Sequence, residues 1–134
     1  MKRHALLAYQ LLTGLSDTAT GLLLIFSPAM TLRLMNLQST ADALPFLSYI
    51  GVFVLSVGIA CFYGASLAKS SLSAQKLEVV WLLTAITRAL VAIFVATRIV
   101  SGTLEMGWST VALTDGFLAL LQFFGLAKGW LRSV

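Results

Sequence analysis

Four long apolar stretches dominate the sequence, at about residues 5–27, 44–67, 78–100 and 108–130, and each is sufficient to cross a lipid bilayer. A spanning helix needs roughly 20 mostly apolar residues to traverse a hydrocarbon core about 30 Å thick. Within lipid every backbone polar group must be satisfied internally, so only helices or closed barrels serve, and these runs are too long and uniform for barrel strands. Hydrophobic residues make up 59% of the chain and charged residues 10%, where a soluble domain carries about a quarter charged. A soluble fold of 134 residues has too much surface for its volume to hide so many apolar side chains. The sequence therefore predicts one all-α integral membrane domain over residues 1–134, an antiparallel bundle of four transmembrane helices.

Between the first two stretches, Ser27-Pro28 offers a cap and a first-turn residue. The apolar run that follows, with Arg33 and Asn36 set into it, predicts a short interfacial helix between helices 1 and 2. The start, Met1-Lys2-Arg3-His4 before an apolar run, has the outline of a signal peptide. Tyr9, Gln10, Thr13, Ser16 and Asp17 interrupt that run, and no small-x-small cleavage site follows, so it reads as a retained first membrane helix. Lys2, Arg3, Lys69, Lys76, Lys128 and Arg132 fall on the side of the termini, and Arg33 and Arg98 on the other. Such a bias places both termini in the cytoplasm of a multi-pass protein of the inner membrane.

The net charge of +4 does not point to nucleic acid, because the cations cap apolar segments rather than forming a patch with aromatic neighbours. Cys61 is the single cysteine and His4 the single histidine. An intrachain disulfide, a zinc motif and a bis-histidine haem are thereby excluded. Neither cofactor nor metal site is read from the chain. Trp81, Trp108 and Trp130 near the ends of the third and fourth stretches read as interfacial anchors.

Polar residues inside the stretches are more informative. Tyr9, Thr13, Ser16, Asp17 and Thr20 follow one stripe of the first helix at its 3.6-residue period, a stripe that should turn away from lipid. The second helix carries Tyr49, Ser56 and Tyr63 on one stripe and Gly51, Gly58 and Ala65 on another, the latter suited to close helix contact. The third has an alanine seam at Ala85, Ala89, Ala92 and Ala96 beside Thr84 and Arg88, and in the fourth Asp115 and Gln122 lie two turns apart on one face. A pattern L-[ST]-D-x4-L-L-x2-F recurs in Leu15–Phe26 and Leu113–Phe124, which run antiparallel, so an inverted repeat is conceivable.

Asp17, Arg88 and Asp115 stand at similar depth. A charge at mid-membrane costs roughly 2.5–3.5 kcal/mol on an insertion scale. Arg88 cannot shed its proton and so needs an anion. A guanidinium between two carboxylates satisfies most of its donors. Arg98, nearer the outer surface, either snorkels or approaches Asp115 from above. The buried polar cluster expected to bind a ligand is Asp17, Arg88, Asp115, Arg98, Thr13, Ser16, Thr84, Gln122 and Tyr49. Two readings stay open: an ion-pair network that fixes helix register, or a polar cavity open to the outer side.

Phe26-Ser27-Pro28 closing the first helix, the loop helix after it, Arg98-Ile99-Val100-Ser101-Gly102 closing the third, and a carboxylate, Asp115, in the fourth resemble the DoxX-like superfamily of small four-helix bacterial membrane proteins. The likeness spans nearly the whole chain and implies a fold more than a chemistry. A few members are membrane partners of oxidoreductases. The chain departs from the pattern by carrying Asp17 in the middle of helix 1. In Asp17 and in size it also resembles small multidrug transporters, whose chains are shorter and hold essentially one membrane charge.

Three functions follow in order of preference. The first is a non-catalytic membrane protein that binds a small or lipid-like molecule or serves as a subunit of a membrane complex. The second is a small dimeric transporter or channel working through an intramembrane carboxylate, and the third a quinone-linked redox accessory. Without a nucleophile–base pair, metal spacing or phosphate loop, nothing supports a self-contained enzyme. The expected partners are the lipid bilayer, a small-molecule ligand, and a second copy of the chain or another membrane protein.

Overall fold

A computed structural model describes residues 3–69 and 74–132, and every regular element among them is helical. The helices are α1 (Arg3–Phe26), α2 (Pro28–Leu34), α3 (Leu44–Leu67), α4 (Ala74–Val100) and α5 (Ser109–Ala127), with single 3-10 turns at Ala41–Ala43 and Met106–Trp108. Three stretches, Ala41–Leu67, Ala74–Val100 and Met106–Ala127, are long and apolar enough to cross a membrane. Large apolar side chains point outward along them, among them Phe53, Ile59, Leu90, Ile93, Phe117 and Leu120. Outward apolar cover on this scale suits lipid rather than water. α1 matches α3 in length, at 24 residues each, but is more polar. Lys2, part of the basic bias, lies outside the described residues.

Two boundaries differ from expectation for local reasons. α4 begins at Ala74 rather than near 78, because Gln75, Lys76 and Glu78 are good helix formers and Leu77 is buried in the adjoining core. α5 stops at Ala127 rather than 130. Gly129 adopts φ +65°, and the Trp130 N–H donates back to Gly125 O at 3.0 Å. The chain is thus folded over the helix end, with Trp130 edge-on to Phe124 at 5.4 Å. α2 ends in the same manner. Asn36 takes φ +56°, and the Leu37 N–H reaches Leu32 O at 2.8 Å.

The helices pack as two pairs, α1 along α3 and α4 along α5, with sparser backbone approach between α3 and α4. Glycine makes the first pair close. A Cβ on Gly21 would stand 2.6 Å from Leu55 N, and one on Gly58 2.7 Å from Thr18 N, so only hydrogen fits at either point. Gly51, Gly58 and Ala65 are all buried as their stripe implies, whereas Tyr49, Ser56 and Tyr63 lie outside. In the alanine seam Ala85 and Ala92 are buried and Ala96 is exposed. At the end holding the termini, Leu6, Leu67, Ala68, Leu77, Trp81 and Leu131 form a packed plug. Arg3 Nε donates to Ala68 O (3.0 Å) and Arg132 Nε to Glu78 Oε1 (2.8 Å) across that end. At the opposite end Leu32, Leu37 and Leu47 pack with Met35, Leu44 and Trp108.

Candidate functional site

Side chains join the two pairs at one charged layer. Arg88, 3% exposed on α4, donates through Nη1 to Asp115 Oδ1 of α5 at 2.6 Å and through Nη2 to Asp17 Oδ2 of α1. Asp17 comes from the first pair, Arg88 and Asp115 from the second. The two aspartates occupy equivalent places in the recurring motif of α1 and α5. Their side chains keep 17% and 21% accessibility, so the layer is not sealed, and neither Asp17 Oδ1 nor Asp115 Oδ2 has a partner among the described residues. Each carboxylate thus presents one uncommitted oxygen beside a guanidinium whose two terminal nitrogens are engaged.

A neutral polar layer lies toward the plugged end. Gln122, two turns beyond Asp115 and 1% exposed, donates through Nε2 to Thr84 Oγ1 at 2.7 Å. Thr84 Oγ1 in turn donates to Val80 O at 2.8 Å. Gln10, two turns before Asp17 and equally buried, fills the space that Gly64 leaves open on α3. Thr13 is buried with its hydroxyl turned back to Tyr9 O at 2.8 Å. Beyond them Tyr9 and Trp81 meet at 5.2 Å between ring centres. Several buried polar atoms lack a partner: Tyr9 Oη, both amide atoms of Gln10, Trp81 Nε1, Arg88 Nε and Gln122 Oε1. Buried polar groups of this kind are ordinarily completed by hydrogen bonds to protein or ordered water.

Of the residues singled out from sequence, Asp17, Arg88, Asp115, Thr13, Thr84 and Gln122 gather here. Ser16 is exposed, because it falls about 100° around the helix from the inward-turned Asp17. Tyr49 is 64% exposed near the start of α3, edge-on to Phe53 at 5.0 Å. Arg98 is also exposed, its guanidinium 5.2 Å from the Phe94 ring centre rather than at Asp115, since it lies near the C-terminus of α4. Trp81 is fully buried and no interfacial anchor, because it shares the inward face of α4 with Ala85 and Arg88. Gln10 is the residue that the sequence reading passed over. Its spacing from Asp17 mirrors that of Gln122 from Asp115, the one signal that could have found it.

Among the described residues no group of three or more His, Cys, Asp or Glu could hold a metal ion. Cys61, buried opposite Gly14, is a small core residue. At the far end an open cleft of about 280 Å³ lies among Leu32, Phe46, Leu47, Leu104 and Trp108, in a different part of the molecule from the charged layer. Compared with protein-family models, curated proteins and solved structures, the chain gives no match.

Proposed function

We propose that this is a four-span inner-membrane protein of the DoxX-like type, with both termini cytoplasmic and α2 lying in the interface. Its role is to hold a small or lipid-like molecule at the Asp17–Arg88–Asp115 layer without catalysing a reaction. The observation that carries the reading is the combination in one place of a buried guanidinium, two carboxylates that keep about a fifth of their accessibility, and a neighbouring layer of unpaired polar atoms. A purely structural ion network would gain nothing from orphaned amides next to it, because each unpaired buried group costs about 1–3 kcal/mol. A polar ligand or a set of waters removes that cost.

α1, although more polar than α3 and α5, has the length to span about 36 Å at 1.5 Å per residue. Among its polar residues Gln10, Thr13 and Asp17 are turned inward. Extraction of the full chain with its native lipids into polymer-bounded bilayer discs, followed by native mass spectrometry, tests the reading. A small molecule retained by the wild type and lost from R88M is the expected result. Wild-type discs with nothing retained beyond bulk lipid would overturn it.

The two-pair construction favours one second reading, a small transporter. Tight packing within each pair and sparse backbone contact between pairs suit rocking of one pair against the other about the charged layer. Flux of the retained molecule into sealed vesicles distinguishes transport from binding.

A further inference from the structure

We infer that the end of the bundle away from the termini holds one zwitterionic phospholipid, its acyl chain in an apolar cleft, its phosphate on Arg98 and its ammonium on Glu105. The site is independent of the charged layer. Two clefts adjoin at this end. One, about 280 Å³, is lined by Leu32, Phe46, Leu47, Ile50, Leu104 and Trp108, with Glu105 also in its wall. The other, about 290 Å³, is lined by Phe94, Arg98, Thr103 and Leu104. Thr103 and Leu104 belong to both, so the two clefts share a wall.

The turn after α4 builds that wall. Gly102 takes φ +73° and sends the chain back over the helix end. Arg98 O then accepts from the Thr103 N–H at 2.9 Å, the Leu104 N–H at 3.1 Å and the Thr103 hydroxyl at 3.1 Å. Opposite charges flank the turn. The Arg98 guanidinium lies over the Phe94 ring at 5.2 Å and enters no ion pair among the described residues. Glu105 is exposed, makes no capping hydrogen bond to the 3-10 turn that follows it, and has no ion pair either. The two charges therefore do not close on each other. Arg33 and Asp42, also at this end, line neither cleft.

The surroundings and the charges select the occupant. Three of the helices are long and apolar enough to cross a membrane. The clefts lie where α4 ends and α5 begins, the level at which hydrocarbon gives way to headgroups. An apolar hollow at that depth takes up acyl chain. From Ala43 to Ile50 its α3 wall runs about 10 Å at 1.5 Å per residue, enough for several methylenes. A guanidinium binds phosphate through paired N–H donors. A fatty acid or a net-anionic phospholipid would satisfy Arg98 and leave Glu105 facing like charge. A headgroup with a phosphate and a primary ammonium meets both residues and donates hydrogen bonds to the carboxylate.

The test is native mass spectrometry of the full chain in detergent, titrated separately with phosphatidylethanolamine, phosphatidylcholine and phosphatidylglycerol of the same acyl chains. One saturable adduct is expected, strongest with phosphatidylethanolamine. Arg98→Gln should weaken it by about fivefold or more, the upper range for an exposed ion pair. Glu105→Gln should abolish the preference for phosphatidylethanolamine over phosphatidylglycerol. Both side chains are exposed, so neither substitution threatens the fold. Ile50→Trp, which fills the apolar cleft, should weaken all three lipids alike. Lys128→Gln, an exposed basic residue at the opposite end, should match wild type. The inference is overturned by adducts that accumulate without saturating, as an unselective lipid shell does. It is overturned equally by phosphatidylglycerol binding as tightly as phosphatidylethanolamine, by unchanged affinity in Arg98→Gln, or by an equal loss in Lys128→Gln. None of these outcomes bears on the molecule proposed for the charged layer, whose retention is read against Arg88.

Discussion

Arg88→Ala is the perturbation that probes the charged layer most severely. The guanidinium is 3% exposed and is the shared partner of Asp115, at 2.6 Å, and of Asp17. Its removal leaves two carboxylates facing one vacated space. Breaking a buried pair by deleting one partner typically costs about 3–5 kcal/mol. The carboxylates keep 17% and 21% accessibility, so their burial is incomplete, and a loss near the lower bound, about 3 kcal/mol, is expected. Against a total stability of about 5–15 kcal/mol, that is a large fraction. Addition of Asp17→Asn and Asp115→Asn removes both orphaned charges and should restore roughly half of the loss, the rest being the packing of the arginine stem. Equilibrium unfolding of wild type, single and triple variants by SDS in mixed micelles gives the three values. A single variant within about 0.5 kcal/mol of wild type, the range of an indifferent surface change, would refute the argument. So would a triple variant no more stable than the single one.

Gly58→Leu should destabilise the α1–α3 contact by about 1–3 kcal/mol or more in the same unfolding assay, since its Cβ would stand 2.7 Å from the Thr18 backbone nitrogen; unchanged stability would mean that the helices do not touch there. Gln122→Leu removes the 2.7 Å hydrogen bond to Thr84 and should cost about 1 kcal/mol net, read as a modest shift of the unfolding midpoint, and a loss as large as that of Arg88→Ala would show that the neutral layer outweighs the charged one. Reporter fusions at residues 40 and 104 should read outside and a C-terminal fusion inside; any other order contradicts both-termini-inside topology.

Length and hydropathy were enough to read the helical class, and three of the four long helices have the apolarity that a span requires. The position of α3, Leu44–Leu67, follows from its apolar run. The starting turn of α4 was harder, since its polar first residues belong to the helix but not to its apolar core. The glycine stripe was legible because close helix approach demands small side chains at heptad spacing, and Gly51 and Gly58 have that spacing.

Within the site, the grouping of Arg88 with Asp17 and Asp115 follows from depth and charge, both visible in the chain. What sequence could not supply was the rotation of each helix about its axis. Ser16 and Asp17 are neighbours in the chain but diverge by about 100°, and only tertiary packing decides which of them turns inward. The same uncertainty placed Tyr49 inside, although it is exposed, and left out Gln10, although it is buried. Of the two alternatives for Arg98, snorkelling outward or approaching Asp115, its exposed place near the end of α4, over Phe94, fits the first.

The central claim is that one arginine joins the two helix pairs by holding an aspartate from each. Solid-state NMR in lipid bilayers measures it directly, through dipolar couplings between 15N-labelled arginine guanidinium nitrogens and the 13Cγ carbons of aspartate. The account predicts two strong couplings at the separations of hydrogen-bonded pairs, about 3–4 Å. One should vanish in Asp17→Asn and the other in Asp115→Asn, and both in Arg88→Met. Coupling to neither carboxylate, or couplings that persist in Arg88→Met, would contradict it.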